Sequence, residues 1–111
     1  VIAQSIFGAG DLNRRLVLEQ PVETPDGEGG VTRSYQTVAS VWASVTPLSA
    51  KSDASADNPG AVIAYRIVIR AGRDVTTRHR FREGDTIFRI ASVREYAGKR
   101  FLDIHAEQKT D

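Results

Sequence analysis

Apolar and polar side chains alternate at period two over much of this chain, and glycine or proline clusters interrupt the alternation, which is the pattern of short strands joined by turns. The clearest stretch is Val62–Arg70, where Tyr65, Ile67 and Ile69 share one face and Arg66, Val68 and Arg70 the other. Val41, Ala43 and Val45 alternate in the same way with Trp42, Ser44 and Thr46. Near the C-terminal end, Leu102, Ile104 and Ala106 stand opposite Phe101, Asp103, His105 and Glu107. Arg14–Glu19 is built from residues that suit a strand, and Pro21, which has no N–H to give a ladder, is expected to stop it. Val31–Ser40 and Val41–Pro47 read as two successive extended segments.

The punctuation supplies the turns. Pro25-Asp26-Gly27-Glu28-Gly29-Gly30 offers glycines for positive φ beside a proline that fixes its own φ. Glu83-Gly84-Asp85 separates Arg78–Arg82 from Thr86–Glu95 as a hairpin turn, and Ala97-Gly98 joins that second segment to Lys99–Glu107 as another. Ser49–Gly60 is small, polar and aperiodic, so a long loop is expected at about Leu48–Val62, disordered before assembly and ended by Asn58-Pro59-Gly60. Ser5–Asn13 has some helical character, but Gly8 and Gly10 interrupt it, leaving residues 1–11 as an N-terminal extension of coil or a short turn. About six strands, short turns, one long loop and no strong helix predict an all-β fold, a small barrel or sandwich formed by residues 1–111 as one domain.

Composition narrows the class. At 111 residues there is room for one modest core. Apolar residues at 41% and charged residues at 26% describe a globular chain. No stretch approaches the roughly 18 apolar residues of a membrane-spanning helix, and Val1–Phe7 lacks the basic start and long apolar run of a signal peptide. With no cysteine there can be neither disulfide nor thiolate metal site, which suits synthesis in a reducing cytoplasm. Net charge is +1, but residues 1–64 carry −3, residues 65–100 carry +6 and residues 101–111 carry −2. Such a layout can steer an acidic protein face or a nucleic acid, or can simply reflect arginines on solvent faces of strands.

Catalytic chemistry finds little support. Gly27-Glu28-Gly29-Gly30 lacks the Gly-Lys-Ser/Thr ending of a phosphate loop, and Gly8-Ala9-Gly10 is a weak fragment of a dinucleotide fingerprint. There is no Cys nucleophile and no Gly-x-Ser-x-Gly elbow. His79 and His105 lie 26 residues apart, and a site of the two with Asp103 or Glu107 would need convergence that isolated residues do not promise. Asp26 and Glu28 lie on a turn, and Asp53 and Asp57 on the loop, where carboxylate geometry would be poorly held. No catalytic, cofactor or metal residue is therefore assigned. Trp42 reads as a core or half-buried strand residue, with an interface anchor as the alternative. Tyr35, Tyr65, Phe81, Phe88, Tyr96 and Phe101 read mainly as packing, although aromatics beside arginines would also serve a single-strand binding module of OB type.

Taken in order, these segments resemble a known family. Leu12-Asn13-Arg14-Arg15-Leu16-Val17-Leu18 precedes Asp26-Gly27-Glu28-Gly29-Gly30-Val31, then Val41-Trp42-Ala43-Ser44-Val45-Thr46-Pro47 and a small polar loop. Tyr65-Arg66-Ile67-Val68-Ile69-Arg70, Asp74-Val75-Thr76-Thr77 and Phe88-Arg89-Ile90-Ala91-Ser92-Val93 follow. The set, spanning about residues 12–108, is similar to the phage head–tail joining proteins, also called head-closure or stopper proteins. Two departures stand out. Tyr35 occupies a place where members often carry Trp, and Ser49-Ala50-Lys51-Ser52 replaces a common Gly-Glu pair.

The resemblance implies a small β-barrel with a long inserted loop, assembled as a ring of six or twelve copies around a DNA channel at the head–tail junction of a phage or gene transfer agent. On that reading the partners are a portal-adaptor protein on the head side, a tail terminator or tail tube protein on the tail side, and packaged double-stranded DNA, with no cofactor. A tail-terminator role is the alternative within the virion. The loop, with Ser49, Lys51, Asp53, Asp57 and Asn58, would face the channel or an adjacent ring. Arg66, Arg70, Arg73, Arg78, Arg80 and Arg82 would face DNA or, by preference, acidic neighbours across ring interfaces, because DNA in a conduit must slide.

Overall fold

A computed structural model describes residues 11–52, 61–96 and 98–110. Six strands, β1 (Arg14–Pro25), β2 (Val31–Ser52), β3 (Ala61–Arg70), β4 (Arg80–Glu83), β5 (Thr86–Tyr96) and β6 (Phe101–Thr110), form a closed antiparallel barrel in the order β1-β2-β3-β6-β5-β4. Closure removes the strand edges that a flat sheet of this size would expose. The expected all-β barrel of about six strands is what the chain forms.

The interior is filled from every strand. Leu16, Leu18, Ala43, Ile67, Phe81, Ile104 and Ala106 are fully buried, and Ile69, Phe88 and Val41 nearly so. Each large side chain of this set contributes roughly 1.5–3 kcal/mol. Tyr65 meets Phe88 edge to face at 5.1 Å and gives its hydroxyl to Gln108 Oε1 at 3.0 Å. A second, smaller cluster lies on the outer face of β3 and β6, where Leu12 covers Val68 and Phe101, with Tyr96 alongside. This explains why Val68 can sit on the otherwise polar face of its strand.

At two prolines the strands run on where the sequence expectation ends them, for one physical reason. β1 does not stop at Pro21 but runs on to Pro25, with Pro21 opposite Tyr35. The β1–β4 ladder ends at Glu19–Arg80, so Pro21 lies where one edge of β1 is already open and proline is tolerated. Likewise Val31–Pro47 is not two segments but part of the single 22-residue β2, and Pro47 lies beside a register shift at Leu48, past the last β1 pair at Ala43.

β2 changes partners along its length. It pairs with β1 from Val31 to Ala43 and with β3 from Ala43 to Ser52, so the buried Ala43 belongs to both ladders. Two extensions result at opposite ends of β2. At one end, Gln20–Pro25 and Val31–Gln36 form a two-stranded arm about 20 Å long at about 3.4 Å per residue. At the other, Ser49–Ser52 and Ala61–Ala64 pair with each other, and Ala61–Ala64 also with Glu107–Thr110. The loop expected at Leu48–Val62 is therefore shorter. Ser49 and Lys51 are ladder residues opposite Ala64 and Val62, whereas Asp53, Asp57 and Asn58 lie outside the described residues. Residues 1–10 of the expected N-terminal extension also lie outside them.

Candidate functional site

The arginines expected to meet DNA or neighbouring subunits divide into two groups. Arg80 and Arg82 are committed inside the subunit. They stand two residues apart on β4, hence on one face, and both reach the Glu19 carboxylate. Arg80 Nε donates to Oε1 at 2.7 Å and Arg82 Nε to Oε2 at 2.9 Å. Glu19 is 5% exposed. Burial alone would push its carboxyl up, but the hydrogen bonds and charges of Arg82 and Arg80 outweigh that and hold it below the usual range. The Arg80 guanidinium also lies 3.6 Å from the centre of the Tyr35 ring, so Tyr35, Arg80 and Glu19 form a stack.

Arg66 is likewise engaged, with its Nε donating to Asp103 Oδ1 at 3.1 Å and its guanidinium 4.9 Å from the Tyr96 ring. Arg14 is paired with Glu83, and Arg33 with Glu23 at 2.6 Å. These pairs hold one strand to the next.

Arg70, Arg73 and Arg78 are different. All three are exposed and, among the described residues, no carboxylate lies within 4.0 Å of them. Arg15 and Arg89 share that state; Arg89 lies within the basic stretch 65–100, while Arg15, on β1, stands outside it, and neither is among the arginines assigned from the sequence. Arg78, Arg89 and His79 line a groove of about 450 Å³ together with Arg33, Tyr35 and Arg80, between the two-stranded arm and the β4–β5 side of the barrel. In the turn before β4 the Thr76 amide donates to His79 Nδ1 at 3.0 Å, which fixes the ring at the groove wall. Arg70 and Arg73 line a second depression of about 200 Å³ with Ser40, Val41, Trp42 and Ile69.

Trp42 is not a core or half-buried residue as expected; it is 54% exposed. The alternation that puts Val41 and Ala43 inside the barrel puts Trp42 outside, and nothing among the described residues covers it there as Leu12 covers Val68. The Arg15 guanidinium, directly across the β1–β2 ladder, lies 5.5 Å from the indole. Among the described residues, Val31, Val38 and Leu48 are the other large apolar side chains left exposed, and all are on β2. Val38 and Leu48 both sit at register shifts, where the extra residue re-aims the side chain. His105 is exposed on the outer face of β6, and among the described residues no three of His, Asp and Glu converge as metal ligands would. Among the described residues the surface presents guanidiniums, one indole and uncovered strand edges.

Known proteins resemble the chain in sequence and in fold. The family profile described as phage head completion protein matches residues 7–109. A chain in the solved virion of a native gene transfer agent particle is 36% identical, with a TM-score of 0.78 over 88% of this chain and 94% of that one. The solution structure of protein SF1141 from Shigella flexneri 2a shares the fold at 22% identity, with a TM-score of 0.67 over 92% of this chain and 96% of that one. No curated protein sequence matches the chain.

Proposed function

The chain belongs to the phage head completion protein family, and from that premise we propose that it forms the ring that closes the DNA-filled head and receives the tail. It is a structural protein of the virion with a head-closure role, assembled with other virion components. On our reading the ring holds six or twelve copies, seats on a portal-adaptor protein, receives a tail terminator or tail tube protein, and retains packaged double-stranded DNA. We read its work as mechanical and not enzymatic. We read Ser49 and Lys51, on the paired end of β2, together with Asp53, Asp57 and Asn58, which lie outside the described residues, as contacts to the channel or the next ring.

One observation carries the ring reading: a barrel that closes its own edges nevertheless extends β2 past it at both ends, leaving strand edges unpaired there among the described residues. A subunit that worked alone would gain nothing from such edges and would risk aggregation through them. A ring subunit uses them to meet its neighbours.

Deleting the gene and imaging the particles by electron microscopy tests the proposal. Heads that have lost DNA, beside separate and complete tails, are the expected result. Normally joined particles would refute it, and filled heads carrying unterminated tails would point to a tail-terminator role instead.

A further inference from the structure

β2 and β3 part company at Trp42, and the fork they leave is chemically specific. Pairing begins at Ala43–Ile69, so on the side of β2 facing away from β1 the backbone from Val31 to Trp42 is unpaired among the described residues. The depression in the fork holds the exposed indole with Arg70 and Arg73, and Arg15 closes on the indole from β1. Three guanidiniums thus surround one apolar ring, with no carboxylate within 4.0 Å of any of them among the described residues. Such a surface fits an acidic segment that also brings an apolar side chain to cover the indole.

The tip of the arm on the same chain has the opposite composition. Glu23, Asp26 and Glu28 are exposed there, with Arg33 as the one basic residue from 23 to 33, and Val31 stands among them 61% exposed. Asp26 is occupied in holding its own turn and Glu23 is paired with Arg33, so Glu28 is the carboxylate free to bind outward. Tip and fork are separated along β2 by about 11 residues, or roughly 36 Å at 3.3 Å each, too far for a straight strand to fold back on itself.

We propose that the arm tip of one copy, with Glu28 and Val31, docks in the Trp42–Arg70–Arg73 fork of a second copy. The two surfaces differ, so the contact is heterologous and repeats from subunit to subunit until a ring closes. Duplex DNA is the weaker fit, because its phosphates satisfy the arginines but leave the indole uncovered. The proposal names the interface of the ring described above and rests on that reading.

The chain has no cysteine, so a pair can be introduced cleanly. Particles carrying Glu28→Cys and Ser40→Cys together should yield, on treatment with a short bis-maleimide, a ladder of covalent multimers that neither single variant gives. The purified Arg70→Glu, Arg73→Glu variant should self-associate roughly tenfold more weakly or worse, and adding Glu28→Arg should restore part of that loss.

Joined particles that contain the protein yet give no ladder would overturn the docking while leaving the head-closure reading intact. Absence of the protein from particles would overturn that reading itself. Cross-linking that stops at dimers would show reciprocal exchange of arms and overturn the heterologous contact. Salt-sensitive retention of duplex DNA that depends on Arg70 and Arg73, with no ladder, would assign the fork to phosphate and overturn the proposal.

Discussion

Glu19 and Arg80 face each other across the seam that closes the barrel, the last pair of a three-residue β1–β4 ladder, with Arg80 Nε 2.7 Å from the Glu19 carboxylate. The ladder is short because β4 has only four residues. Closure therefore depends on what the seam's side chains do. Inside, Leu18 stands opposite Phe81, both fully buried. Outside, Glu19 draws in Arg80 and Arg82 together.

The first prediction concerns that outer clamp. Glu19→Gln keeps the shape but leaves two guanidiniums without their shared counter-charge, and should cost about 2–3 kcal/mol at pH 7. That is below the roughly 3–5 kcal/mol for breaking a fully buried pair, since both arginines keep some contact with water. Folding lowers the Glu19 carboxyl, so its stabilisation is complete above the ordinary Glu value of about 4.3 and is lost as pH falls through the lower folded value. Urea unfolding from pH 7 to pH 3 should show an acid slope in the parent that is reduced in Glu19→Gln. Equal stability of the two proteins at pH 7 would show that the clamp is ornamental.

The inner half of the seam should matter more. Phe81→Ala removes a fully buried ring from the four-residue strand and is expected to cost about 3–5 kcal/mol, a large part of the roughly 5–15 kcal/mol that holds a domain together. Tyr65→Phe removes only the hydroxyl bond to Gln108 and should cost about 1 kcal/mol. Denaturant midpoints for the pair test the ranking, and a milder effect from Phe81→Ala than from Tyr65→Phe would contradict it.

Much of this architecture was legible in local pattern. The period-two faces of β3 and β6 and the Gly84-Asp85 turn, with Gly84 at φ 61°, are where the sequence put them. What escaped was what depends on residues far apart in the chain. Glu19 and Arg80 are 61 positions apart, so nothing near either one marked Arg80 and Arg82 as internal. Pro21 reads as a stop unless it is known that the β1–β4 ladder has already ended. Trp42 invited burial by residue type, although its own alternation with Val41 and Ala43 pointed it outward. The loop lost Ser49 and Lys51 because Ser49-Ala50-Lys51-Ser52 carries no hydrophobic period to announce a strand.

Trp42 also gives the chain a built-in reporter, since it is the sole tryptophan. Exposed on the outer face of β2, it should emit at the long wavelength of a hydrated indole and be readily quenched by acrylamide in the dissociated protein, then shift blue and resist quenching on assembly. Trp42→Phe should change unfolding stability by no more than about 0.5 kcal/mol, as surface replacements generally do. An emission already blue and protected in the dissociated subunit would mean that the indole is covered within one chain.

The last prediction isolates the arm from the barrel. Asp26 Oδ1 accepts the Glu28 amide at 2.7 Å and the Gly30 amide at 3.1 Å, while the Asp26 amide donates to the Gly30 carbonyl at 3.0 Å. The Glu28 and Gly30 amides hold the Asp26 carboxyl below its usual range. Their stabilisation of the turn is therefore complete above the ordinary Asp value of about 3.9 and fades as pH falls through the lower folded value. A two-stranded ribbon is marginal in water, so the arm should feel the loss while the barrel does not. Asp26→Ala should speed amide exchange across residues 20–25 and 31–36, with β3 and β6 unchanged. Asp26→Asn keeps an acceptor oxygen without the charge, so it should retain most of the protection and lose the acid dependence of the arm. If both variants leave arm exchange unaltered, the register with β1, and not the Asp26 turn, sets the direction in which the tip is offered to a neighbour.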